Sequence, residues 1–363
     1  MALEPAVEDG LESLEGGQYL VATYNFHGVT VRIRSDSQSA IASLDSVYSF
    51  FRVPGIAQPQ LDMTLLANDG DLSSGKEKRA FARVPRSFDG WRTALLYRNG
   101  LHSGAIDLLD HIREVAVPLD QEAPSRLYHI RDLSDIKCWS ADWVAGVEFL
   151  VFIFVMYHLH HLCAIHAGTV SRGERGLLLC GSTNSGKTVL SYALARNGFG
   201  YLSDEFGLFA PATLELFPFP RGISLRPEAA RLFGDMGPVL EGKDVVWRQG
   251  KRHLMSLENL GVRVKREPVR AAFLFFVSHQ ASAVPSLKRM APSDAAEKLA
   301  KSASLWLHAP QENWGFTRAE AAVRLCENAV CGELISGDLD RTVALITSVC
   351  DDGCNHQEDL GIP

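Results

Sequence analysis

The chain has 363 residues, 46% hydrophobic and 22% charged. These are ordinary values for about two globular domains and exclude a disordered chain. Lys plus Arg total 36 against 43 Asp plus Glu, a net charge of −7 with no polybasic block, so the electrostatic footprint of a nucleic-acid binder is missing.

The acidic start, MALEPAVEDGLESLEGG, is the opposite of a signal or transit peptide. Residues 1–17 read as a disordered lead-in, and residues 18–142 as a small N-terminal α+β domain. In that domain YLVATYNF and VTVRIR flank an NFHG break and predict a strand pair. Ile41, Leu44, Val47, Phe50 and Phe51 recur at helical spacing, with a stop at Pro54-Gly55. A short strand is expected near Leu61–Leu66, and Asn99-Gly100 between two apolar runs predicts a hairpin.

Residues 149–157, FLVFIFVMY, are uninterrupted apolar. They are too short to span about 30 Å of hydrocarbon and predict a buried helix at the heart of a second domain, 143–350, with no membrane partner. His158 and His161 would share a helix face, but no acidic or Cys residue stands at a spacing that completes a metal set. The seven cysteines form no CxxC pair, which fits reduced thiols in a cytoplasmic protein.

The second half changes character. GLLLC (176–180) predicts a buried strand, then a glycine-rich turn, then a helix over KTVLSYALARNG capped by Asn197-Gly198. FGYLSDEFGLF (199–209) and AAFLFFVS (271–278) read as further strands. PSDAAEKLAKSA and FTRAEAAVRLCENAV read as helices, and residues 351–363 as a loose tail. This order predicts an α/β core, the whole chain being α+β.

The informative stretch is Gly181-Ser182-Thr183-Asn184-Ser185-Gly186-Lys187-Thr188, which matches GxxxxGK[ST] in full. Glycines let the backbone turn tightly so that consecutive N–H groups converge on phosphate oxygens. The next helix offers its positive N-terminus to the same anion. Lys187 would neutralise the outer phosphates and the Thr188 hydroxyl would ligate Mg²⁺. Beyond the helix, Asp204-Glu205 ends a predicted strand. One carboxylate could hold Mg²⁺ and the other accept a proton from a hydroxyl, provided the strand ends or bends there. His166, in AIHAGTV, precedes the loop.

Together IHAGTV, LLLCGSTNSGKT, ALARNGFGYLSDEFGLF and FPFPRGISLRPE resemble the HPr kinase/phosphorylase-like serine kinases, whose P-loop fold is shared with phosphoenolpyruvate carboxykinase. The likeness continues more weakly through MAPSDAAEKLAKSA and GELISGDLDRTVALI, covering roughly residues 145–350. It implies ATP and Mg²⁺ as cofactors. It implies phosphate contacts from the loop and Lys187, metal binding by Thr188, and metal binding and base function shared by Asp204 and Glu205. It places His166 at the active site and Arg221 and Arg226 on phosphate or substrate, where arginine's planar fork suits an anion. Arg252 is a weaker candidate of the same kind.

Two departures stand out. Glu205 replaces the second Asp of the HPr kinases, and FPFPRGISLRPE takes the place of their glycine-rich segment linked to phosphorylase activity. This resembles the divergent HPr-kinase-related group associated with peptide natural-product and other biosynthetic clusters, so HPr is not the expected acceptor. The expectation is a kinase acting on a Ser or Thr hydroxyl of a peptide or protein, or on a small-molecule alcohol, with a homo-oligomer implied by the resemblance. The readings from other classes are a nucleotide-binding regulatory module without phosphotransfer, and carboxykinase-like or hydrolytic phosphate chemistry.

Overall fold

The computed structural model of the chain describes residues 11–14, 17–35, 38–56, 58–65, 114–116, 126–130, 151, 155, 159, 161–182, 184–234, 245–249, 252–255, 257, 260–301, 305–306 and 318–352. The chain divides into two compact units, Met1–His158 with Val246–Gly250, and Leu159–Val245 with Lys251–Pro363. No described helix is long and apolar enough to cross a membrane.

In the first unit, β1 (Leu11–Leu14), β2 (Gly17–Phe26), β3 (Val29–Ser35), β4 (Leu61–Leu65), β5 (Glu114–Ala116) and β6 (Arg126–Ile130) form a mixed sheet in the order β1-β2-β3-β4-β6-β5. The expected strand pair is the β2–β3 hairpin. Its turn residues His27 and Gly28 both have positive φ, 50° and 99°, as two-residue turns between twisted strands require. Helix α1 (Gln38–Tyr48) and a following 3₁₀ turn bury Ile41, Leu44, Val47 and Phe51. Phe26 meets Tyr48 and Phe51 with ring centroids 5.1 and 4.6 Å apart.

Two expectations change here. The lead-in, expected to be disordered, carries β1, which pairs antiparallel with the start of β2; an edge strand needs only backbone partners, which composition does not reveal. Val151 and Val155 of the apolar run are helical and buried, as expected, but belong to the first unit because the division falls after His158. The Asn99-Gly100 hairpin lies outside the described residues.

The second unit carries β7 (Cys163–Arg172), β8 (Arg175–Cys180), α2 (Lys187–Arg196), β9 (Gly200–Ser203), β10 (Phe206–Phe209), β11 (Glu215–Phe217), β12 (Ile223–Leu225) and α3 (Pro227–Ala230). After β13 (Val245–Gln249), most of which falls in the first unit, it continues with β14 (Arg252–Met255), β15 (Val269–His279), β16 (Ser286–Arg289), α4 (Pro292–Lys301), β17 (Leu305–Trp306), α5 (Arg318–Asn328), β18 (Val330–Ser336) and α6 (Leu339–Asp352). The main sheet is mixed, in the order β11-β10-β7-β8-β15-β18-β16, with β9 and β17 also paired to β7. Strands β8, β15 and β18 are parallel neighbours.

Alternation along these strands sorts the core into two faces. Leu177 and Leu179 of β8, and Phe273, Phe275 and Val277 of β15, pack with α2 and α6. Leu178 and Cys180, with Leu274 and Phe276, pack with α4 and α5. The unit is therefore a sheet between two helical layers.

The expected tail is corrected at its start. Helix α6 runs to Asp352, and Arg172 reaches the Asp351 carboxylate through Nε and Nη2, both at 2.9 Å. A bidentate pair with a residue far back in the sequence overrides the polar local signal. The described cysteines 163, 180, 326, 331 and 350 are buried thiols.

Candidate active site

The turn 181–186 joins β8 to α2 at the carboxyl edge of the parallel strands, where open α/β sheets form their ligand crevices. Glycine is required at both of its ends. A Cβ on Gly181 would sit 2.7 Å from the Val277 carbonyl oxygen and 2.6 Å from Ser185 Oγ, and Gly186 has φ 93°. Asn184 also takes the left-handed region, at φ 69°. Thr183 lies outside the described residues.

Lys187 is buried at the first turn of α2. Its Nζ donates to the carbonyl oxygens of Gly181 at 2.8 Å and Ser182 at 2.9 Å. The ammonium is thus folded back over the turn it follows. Ser185 Oγ is buried with no hydrogen-bond partner among the described residues, and Thr188 is half-buried on the same helical turn.

The stretch 199–209, read as one strand, is two. Ser203 Oγ accepts the Phe206 N–H at 3.0 Å and the Glu205 N–H at 3.4 Å, a serine turn that bends the chain at Asp204-Glu205. Both halves still pair with β7, through Thr169↔Ser203 on one side and His166↔Phe206 on the other. The acidic pair therefore sits in a break beside β7 with its side chains released from strand alternation.

Asp204 is only 3% exposed. Oδ2 accepts the Ser224 N–H at 3.1 Å, while Oδ1 is buried without a partner among the described residues. Burial, and next the Glu205 charge, push its carboxyl up to about 6, against the opposing pull of Arg221 and the Ser224 N–H. Tyr201 lies beside it, donating its hydroxyl to the Gly222 carbonyl at 2.9 Å. Burial and the Asp204 charge raise that phenol well above its ordinary value.

Glu205 holds Arg221, Oε2 to Nη2 at 2.6 Å, and the guanidinium lies over the Phe206 ring, 5.4 Å from its centroid. The Glu205 carbonyl accepts the Ala167 N–H and the His166 Nδ1–H, both at 3.2 Å. That bond sets the imidazole tautomer, since a carbonyl only accepts. Gly168, two residues on, lets α2 approach β7: a Cβ there would fall 2.1 Å from Ser191 Oγ and 3.5 Å from the Lys187 carbonyl oxygen.

The segment 221–226 ties these parts together. Arg221 rests on Glu205, Ser224 on Asp204, and Arg226 Nη2 donates to Asn184 Oδ1 of the turn at 2.8 Å. His166, Lys187, Asp204, Glu205, Arg221 and Arg226 are thus connected through one set of neighbouring elements. Arg252 begins β14, which pairs antiparallel with β12.

Tyr201, Ser203 and Ser224 stand inside the sequence motifs with no role legible there, and His279, which ends β15 beside the turn, stands outside them. The available signal for His279 was its place just past the apolar run 271–278.

The described residues hold no cluster of three or more His, Cys, Asp or Glu that could bind a metal. A Mg²⁺ held through phosphate oxygens and water needs only one or two protein oxygens. Asp204 Oδ1, without a partner among the described residues, and the Thr188 hydroxyl are oxygens of the kind that demand calls for. No protein-family model and no curated protein matches the chain.

Proposed function

We propose that this protein is an ATP- and Mg²⁺-dependent kinase that phosphorylates an alcohol, with a Ser or Thr hydroxyl of a peptide or protein as the leading acceptor and a small-molecule alcohol as the other. The observation that carries the reading is Asp204. A carboxyl kept in a buried break, with one oxygen lacking a hydrogen-bond partner among the described residues and its pKa pushed up to about 6, is costly to maintain and poised to take a proton near neutral pH. It is joined through Ser224 and Arg226 to a turn whose sequence is that of a phosphate loop. The likeness to the HPr kinase-like fold, with a smaller N-terminal domain, supports the same reading.

In this mechanism the turn amides and Lys187 bind the phosphates, Lys187 exchanging the Gly181 and Ser182 carbonyls for phosphate oxygens. Thr188 and the acidic pair would supply hard oxygens for Mg²⁺, which would neutralise charge on the phosphates. Asp204 takes the acceptor's proton as its oxygen bonds the terminal phosphorus and the bridge to ADP breaks. Glu205 aims Arg221, and Arg226 releases Asn184, to meet charge on the transferred group. His166 is held beside the pair by the Glu205 carbonyl. A regulatory module would need the turn and Lys187 but not the buried carboxylate, which favours an enzyme.

The test is phosphate transfer from γ-labelled ATP with Mg²⁺ to a panel of Ser- and Thr-containing peptides and small alcohols. Label on an acceptor, lost in Lys187→Ala and Asp204→Asn, supports the kinase. Nucleotide bound equally by wild type and Asp204→Asn, with no acceptor labelled, supports the regulatory module instead.

A further inference from the structure

Strand β15 leaves the sheet beside the turn 181–186, and its last residue is His279. Two approaches place the turn there: the Gly181 backbone against the Val277 carbonyl, and Gly186, where a Cβ would stand 3.9 Å from His279 Cβ. Strand alternation gives the side-chain direction. Phe273, Phe275 and Val277 face the α2 layer, so His279, next in that series, extends on the side from which α2 starts.

The ring is held by a short relay. Ser336, its register partner on β18, is 93% buried, and its Oγ donates to the Ser278 carbonyl at 3.3 Å. That leaves the hydroxyl oxygen to accept from His279 Nδ1, 3.2 Å away. Ser336 is fixed in turn: Gln280 N–H donates to its carbonyl at 2.8 Å, and the next residue, Gly337, passes so close to Ala283 that a Cβ would fall 2.0 Å from that carbonyl oxygen. Among the described residues the bond from Nδ1 to Ser336 is the polar contact His279 makes, which leaves Nε2 of this exposed residue for a ligand. The buried Ser185 Oγ, on the turn 181–186, is without a hydrogen-bond partner among the described residues.

We infer that His279 is a phosphate-contacting residue, its Nε2 donating a hydrogen bond to an oxygen of the triphosphate, with Ser336 as the positioning residue that fixes the ring. This deepens the phosphate-loop reading and rests on it.

The test uses the full chain and two probes, Mg²⁺·ATP and inorganic tripolyphosphate, titrated calorimetrically into wild type, His279→Ala, Ser336→Ala, the double variant and Lys187→Ala. His279→Ala is expected to weaken both probes about 10-fold or more, as for a lost hydrogen bond to a charged group. Ser336→Ala should weaken both less, and the double variant should match His279→Ala, because the serine acts only through the ring. His279 is exposed, so thermal unfolding of its Ala variant should coincide with wild type. Unchanged tripolyphosphate affinity in His279→Ala would overturn the inference, as would a loss confined to ATP, which would move the contact to the nucleoside. Wild type binding neither probe would overturn the phosphate-loop reading and this inference with it, a result distinct from a silent His279 variant.

Discussion

Replacing Asp204 by Asn should stabilise the fold at neutral pH while removing the proposed base. The size follows from the carboxyl's environment. An ordinary Asp titrates at roughly 4, whereas burial and the Glu205 charge bring Asp204 to about 6. At about 1.36 kcal/mol per pH unit, the charged side chain costs the folded state about 3 kcal/mol at pH 7. The sign is set by a raised folded-state pKa. Below about pH 4 both states are protonated and the cost is absent. Between about 4 and 6 the unfolded chain ionises first and wild type loses stability, and above about 7 the loss is complete. The neutral amide escapes this dependence. Urea unfolding of wild type and Asp204→Asn from pH 4 to 8 should show their difference moving in the variant's favour by about 2–3 kcal/mol. Any fixed packing penalty of the amide cancels in that pH difference. A difference independent of pH would refute the account of a desolvated carboxylate, and with it the argument that the position is maintained for chemistry.

Glu205→Gln removes the neighbouring charge that raises Asp204, so ¹³C titration of the Asp204 carboxyl should move to lower pH; the fold should lose about 1–3 kcal/mol of stability because the partly buried Arg221 loses its ion pair with Glu205. Gly181→Ala sets a methyl 2.7 Å from the Val277 carbonyl oxygen, and chemical denaturation should register a loss of about 1–3 kcal/mol from overpacking together with lost nucleotide binding. Full stability in that variant would mean that the turn has room to move away from β15.

The parts legible in the sequence were those written in local periodicity or in a spacing with a mechanical cause. GLLLC followed by GSTNSGKT gives β8, the turn and α2 because strand, glycine-rich turn and helix signals are consecutive. The spacing of Ile41, Leu44 and Val47 likewise gives α1. The division of 199–209 was hidden, because its cause is the Ser203 side chain capping a bend while both halves keep pairing with β7. Strands of three or four residues such as β11, β12 and β14 are too short to show a period. The end of α6 depends on Arg172 finding Asp351 across the fold. In the site, the residue types were readable, but their pairing was not. Which carboxylate is buried and which holds an arginine depends on Ser224 and Arg221 arriving from a later segment.

The central claim is that the turn 181–188 holds a nucleoside triphosphate in front of Asp204. Calorimetric titration of Mg²⁺·ATP into the purified full chain and its Lys187→Ala variant tests it most directly. The account predicts one molecule bound per chain by wild type and a loss of at least about 10-fold in affinity in the variant, the scale of a missing charge-assisted contact. No binding to the folded wild-type chain, or equal binding by the two proteins, would contradict it.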